Sequence, residues 1–193
     1  MTGAAKMLFR SLSLTLLSCI NLTAASHQHH GKRGAETNAT LYAYGADTHA
    51  WPIAYGVDDG RLYITQDPTN TTTSDLALIP LTWDLAAITD ENWIANATFA
   101  NSTSAGSMYF LQDEDDENYA IGVLPLARFA YINGTVSGFA LFATQLVYNN
   151  DTLLQAQFWA AETDTTGVYG LVWTVDDAVP AGEFPVVVKA VEG

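Results

Sequence analysis

Clusters of Gly, Pro, Asn and Asp interrupt this chain every roughly 10–15 residues, and between them apolar side chains alternate in twos. No stretch of the mature region keeps an apolar stripe at helical spacing for long enough to form a buried helix face. The chain therefore reads as all-β. Asp58-Asp59-Gly60 turns one strand into Arg61-Leu62-Tyr63-Ile64-Thr65, and Asn133-Gly134 and Asn149-Asn150-Asp151 mark two further hairpins. The acidic tip Asp113-Glu114-Asp115-Asp116-Glu117 joins apolar runs at 108–111 and 119–124.

About ten strands in tight succession suit an antiparallel β-barrel, or a barrel-like two-sheet sandwich. Residues 93–99 alternate so that Asn96 faces away from Trp93 and Phe99, which predicts a half-exposed strand. Residues 153–161 read as one strand and 136–148 as another. The second is apolar on both sides, with Phe139, Leu141 and Val147 opposed by Phe142, Leu146 and Tyr148. Two-sided apolarity of that kind points to a homodimer interface.

The first residues read as an address. Lys6 and Arg10 precede an apolar run at 12–22 and then Ala24-Ala25-Ser26, the three parts of a signal peptide over residues 1–26. The run is about half of the ~20 residues that span a bilayer, so no permanent membrane anchor is expected. Residues 27–33 end in Lys32-Arg33, a dibasic processing site, and read as a short propeptide. Cleavage after Ser26 alone would expose His27 with His29 behind it, a copper(II) chelate. Residues 34–193 form a single domain.

Asn-x-Ser/Thr sequons at Asn38, Asn70, Asn96, Asn101, Asn133 and Asn150 mark that domain as glycosylated and place it in the secretory pathway, secreted or vesicular. The chain's 1 Cys lies in the signal, so core burial has to replace disulfides as the stabilising term. All 21 Asp and Glu fall after the propeptide, against Arg61, Arg128 and Lys189. Such a surface repels phosphate backbones and anionic membranes, which excludes nucleic acid as a partner.

Conventional catalytic groups are sparse. There is no Gly-x-Ser-x-Gly elbow and no mature cysteine, and His49 is the sole mature histidine. A zinc or copper site would need mostly carboxylates, which suits neither, and the 113–117 tip lacks the glycine spacing of a calcium loop, so no metal or other cofactor is expected. Asp58, Asp59, Asp84, Glu162 and Asp164 are candidate carboxylates for a wall-polysaccharide hydrolase, yet their spacing selects no pair. Gln155, Gln157 and Trp159 share one strand face, and Tyr169, Trp173 and Val175 share another. If the two strands pair, an amide- and aromatic-lined concavity follows. Arg61 and Arg128 each either pair with an acid or offer a planar donor fork to a ligand oxygen.

Leu41-Tyr42-Ala43-Tyr44-Gly45, Trp51-Pro52-Ile53-Ala54-Tyr55-Gly56 and Gly60-Arg61-Leu62-Tyr63-Ile64 resemble the opening of small secreted fungal β-proteins. Gln157-Phe158-Trp159-Ala160 and Gly167-Val168-Tyr169-Gly170-Leu171-Val172-Trp173 continue the likeness. That group includes the intermolecular hetero-Diels–Alderases of tropolone-sesquiterpenoid (meroterpenoid) biosynthesis. The likeness is a pattern of strands and carries no catalytic signature.

It implies a cofactor-independent pericyclase that joins a tropolone o-quinone methide to a sesquiterpene alkene, with small hydrophobic substrates as its partners. Such a reaction needs two apolar reactants held in register and a hydrogen-bond donor at the quinone-methide oxygen. Arg61, His49, Tyr63 or Gln157 would donate. Trp51, Trp159, Tyr169 and Trp173 would form stacking walls, with Tyr55 and Arg128 as further substrate contacts. The same inventory fits a secreted non-catalytic domain that binds carbohydrates or lipophilic molecules.

Overall fold

The structure is a computed structural model that describes residues 34–46, 48–69, 76–111, 118–124, 136–150, 153–174 and 182–193. Arg128 and the sequons at Asn70 and Asn133 lie outside the described residues, as do residues 1–33, where a signal and a propeptide are expected, and the acidic tip at 113–117. The architecture is all-β, a closed antiparallel barrel of 9 strands with extra strands attached.

The described residues form thirteen strands: β1 (Glu36–Gly45), β2 (His49–Gly56), β3 (Leu62–Thr65), β4 (Leu78–Leu85), β5 (Ala95–Phe99), β6 (Ser104–Leu111), β7 (Asn118–Leu124), β8 (Phe139–Phe142), β9 (Gln145–Asn150), β10 (Leu153–Gln155), β11 (Phe158–Glu162), β12 (Val168–Thr174) and β13 (Glu183–Val191). The wall closes where β1 meets β13 in an unbroken register from Thr40↔Val191 to Gly45↔Val186. β11 and β12 continue it on one side, and the β4–β5–β6–β7 meander forms the other.

Two strands divide one edge between two neighbours. β1 gives Tyr42, Ala43 and Tyr44 to β2, and Glu36 and Ala39 to β4. β12 gives residues 168–170 to β3, and 172–174 to β7. The β2–β3 hairpin is thereby set into the wall between the meander and the β1–β13–β11–β12 sheet, and its backbone groups are paired on both sides.

Strict alternation sorts the side chains. On β1, Ala39, Leu41 and Ala43 point into the core, and on β12 Tyr169, Leu171 and Trp173 do so. Trp83, Phe139, Phe158 and Met108 are among the largest fully buried side chains. At ~25 cal/mol per Å² of apolar surface, each such residue contributes about 1.5–3 kcal/mol, and this burial stands in for disulfides. A smaller cluster of Ala54, Tyr63, Leu78 and Val168 sits on the outer face. Asn38, Asn96 and Asn101 are all exposed. Asn96 lies between buried Ala95 and Ala97, in the phase that the sequence predicts.

Two long runs break where the sequence shows no break. Residues 136–148 contain a hairpin, because Ala143 adopts φ 57° and turns β8 into β9 with Phe142 opposite Gln145. The turn reverses the parity of everything after it. Phe139 and Leu141 therefore share the inner face with Leu146 and Tyr148, while Ala140 and Val147 pair on the opposite face. Residues 153–161 divide at Ala156 and Gln157 into β10, which pairs with β9, and β11, which joins the barrel. β8 and β9 lay Phe139, Leu141, Leu146 and Tyr148 onto the main core, in ring contact with Phe110 and Trp173.

Candidate functional site

A cleft of about 220 Å³ opens on the outer wall where β3, β7 and β12 meet. Its floor is made of residues with little or no side chain: Ala120, Ala161 and Gly170, all from the outward parity of their strands. Gly170 lies opposite Tyr63 on one side and Ala161 on the other. A Cβ added to Gly170 would meet nothing within 4 Å, and its φ lies outside the left-handed region. The backbone does not require glycine there, so its effect is the space above it.

Arg61 and Tyr63 stand at one rim, Glu162 and Glu183 at the other. The rim is shaped by the β2–β3 turn, where Gly60 at φ 76° closes onto Gly56 through its amide at 2.9 Å. That turn brings Asp59 under the strand that follows. Its Oδ1 accepts the Arg61 amide at 3.0 Å, and its Oδ2 accepts the Tyr63 hydroxyl. Gly56 leaves room for the arrangement, since a Cβ there would come within 2.7 Å of the Tyr63 ring.

Burial, then the hydrogen bond to Asp59 and the Asp59 charge, push the Tyr63 phenol well above its usual value, with Arg61 opposing weakly. Tyr63 stays protonated. Its proton is committed to Asp59, so its oxygen can accept, while the Arg61 fork is the donor group at this rim.

The remaining sequence candidates are dispersed. His49 is exposed at the start of β2. Gln157 lies between β10 and β11, where its main-chain carbonyl accepts the Thr174 amide at 3.3 Å, and it does not line the cleft. Trp51 packs on Tyr169 with centroids 6.0 Å apart, and Tyr169 on Phe184 at 5.1 Å, forming a half-buried aromatic group at the inner face. Tyr55 meets Phe99 edge-on at 5.7 Å elsewhere on that face.

The expected wall of Trp159 with Tyr169 and Trp173 does not form. Register pairs Trp159 with Val172 and Phe158 with Trp173, and directly paired residues share a face. Trp159 therefore points outward, while Trp173 is locked against Phe158 at 5.0 Å and is 3% exposed. Of the five candidate hydrolytic carboxylates, Glu162 alone lines the cleft; Asp84 accepts the Asn38 amide at 3.2 Å on β4. Among the described residues no group of three or more His, Cys, Asp or Glu is placed to hold a metal ion.

Sequence reasoning named Arg61 and Tyr63 but missed Ala120, Ala161 and Gly170. The available signal was a glycine inside a strand pattern, which marks either a bulge or open space for a close approach. No family model, curated protein or solved structure matches the chain.

Proposed function

We propose that this domain is a cofactor-independent pericyclase of the secretory pathway, joining a tropolone o-quinone methide to a sesquiterpene alkene by an intermolecular hetero-Diels–Alder reaction. The observation that carries the reading is the small-residue cleft floor with Arg61 and Tyr63 at its rim. A planar ring lies flat on Ala120, Ala161 and Gly170, with its oxygen toward the Arg61 fork.

The heterodiene forms one carbon–carbon and one oxygen–carbon bond to the alkene, and no group leaves. What a protein contributes to such a step is register between the two reactants and a donor at the oxygen where charge develops. The cleft is smaller than the ~300–1,000 Å³ typical of sites that enclose a drug-sized ligand. It therefore seats the tropolone alone, and the terpene approaches over the open side.

Product stereochemistry tests this. The glycosylated protein is expected to give one enantiomer of the adduct faster than buffer, and Gly170→Val, which fills the floor, is expected to return product toward the racemate while the melting temperature holds. A racemic adduct at the buffer rate from the unmodified chain would end the pericyclase reading. Unchanged selectivity in Gly170→Val would move the site away from this cleft.

A further inference from the structure

A second cleft, of about 400 Å³, lies on a different part of the surface, between the β4–β5 connection and the β8–β9 hairpin. Its lining combines two aromatic plates, Trp93 and Tyr148, with Asp90, Glu91, Asn92, Ser137 and Asn149. We propose that this cleft is a binding site for a neutral sugar, a pyranose ring stacked on Trp93 with its hydroxyls held by the surrounding carboxylates and amides.

The cleft is held in shape before any guest arrives. Trp93 Nε1 donates to the Asp90 carbonyl at 2.7 Å, which fixes the indole as a plate. The Trp93 carbonyl accepts the Gly138 amide at 2.7 Å, and the Gly138 carbonyl accepts the Asn149 amide at 2.9 Å, so both walls are stapled together by backbone. Asp90 Oδ2 accepts the Ala87 amide at 2.8 Å, which orients the carboxylate. Gly138, at φ 109°, leaves the space that the Tyr148 ring occupies, because a Cβ there would come within 2.6 Å of it. Preorganisation of this kind removes the ordering cost that weakens binding of small polar guests.

The chemistry of the lining selects the guest. Among the described lining residues there is no Lys, Arg or His, so a phosphate or carboxylate would find acidic side chains and no counter-charge. Carboxylates and amides accept and donate to vicinal hydroxyls, and a half-buried indole offers an apolar plate to the C–H face of a pyranose. A volume inside the ~300–1,000 Å³ range suits one or two sugar rings. The site shares no residue with the Arg61 cleft, so it stands whether or not the domain is a pericyclase.

Calorimetric titration of the secreted glycosylated chain with glucose, N-acetylglucosamine and N,N′-diacetylchitobiose tests the assignment. Saturable binding of at least one at millimolar concentration is expected, with Trp93→Ala weakening it about tenfold through the lost stacking. Asn149→Ala, which keeps the backbone staple, gives a second reading if Trp93→Ala unfolds the connection, and it too is expected to weaken binding. No saturation by any of the three sugars, undiminished affinity in Asn149→Ala, or saturation by tetramethylammonium in place of sugars would each overturn the proposal.

Discussion

The two faces of β12 carry opposite instructions. Tyr169, Leu171 and Trp173 point inward and make ring and side-chain contacts that leave Trp173 3% exposed, whereas Gly170 and Val172 point outward and line the cleft beside Arg61 and Tyr63. One strand thus contributes a rigid interior and an open exterior at a spacing of one residue. Aromatic richness in this chain serves the core first, and open space is left on the outer wall.

Breaking the inner face should cost the most. Trp173→Ala removes a ring packed on Phe110, Tyr148 and Phe158, and is expected to destabilise the fold by about 3–5 kcal/mol in denaturant titration. On the outer face the same scale of change is not available. Tyr63→Phe loses its hydrogen bond to Asp59 and is expected to cost about 1 kcal/mol at neutral pH.

The pH dependence sharpens that contrast. The folded chain holds the Tyr63 proton more tightly than the free phenol, so this contribution is whole below the phenol's ordinary value of 10.0 and drains away as pH rises above it. Wild type should lose stability over that alkaline range, and Tyr63→Phe should show a shallower decline. The smallest effect is expected at the β8–β9 turn. Ala143 sits at φ 57°, and Ala143→Gly should stabilise by about 0.5–1 kcal/mol without touching either face of β12.

The same turn explains what the sequence hid. Asp58-Asp59-Gly60 announces itself because Gly and Asp tolerate left-handed or tight geometry, and it lies where β2 passes into β3 in a hairpin, while Asn149 and Asn150 stand at the end of β9, which pairs with β10. Ala143 and Thr144 have no such chemistry, so the run through them looks like one strand with two apolar sides. The break at Ala156 and Gln157 is hidden for the same reason, since the alternation runs through it without interruption.

Site residues divide along similar lines. Arg61 stood out in the sequence by its rarity in an acidic chain, and it lines the cleft. Gly170 and Ala161 did not stand out, because empty volume has no side chain to announce it. Alternation alone groups Trp159 with Trp173 across two strands that pair, and only the register, which no single strand contains, assigns them to opposite faces.

One feature of the wall bears on how the protein is made. Thr40 near the start of β1 finds its partner in Val191 on β13, with the other eleven strands between them in sequence, so the circumference cannot shut until β13 has left the ribosome. Until then the seam of Leu41 and Ala43 faces solvent with an unzipped margin. Chaperone dwell time should therefore follow the arrival of β13 more than any earlier hairpin.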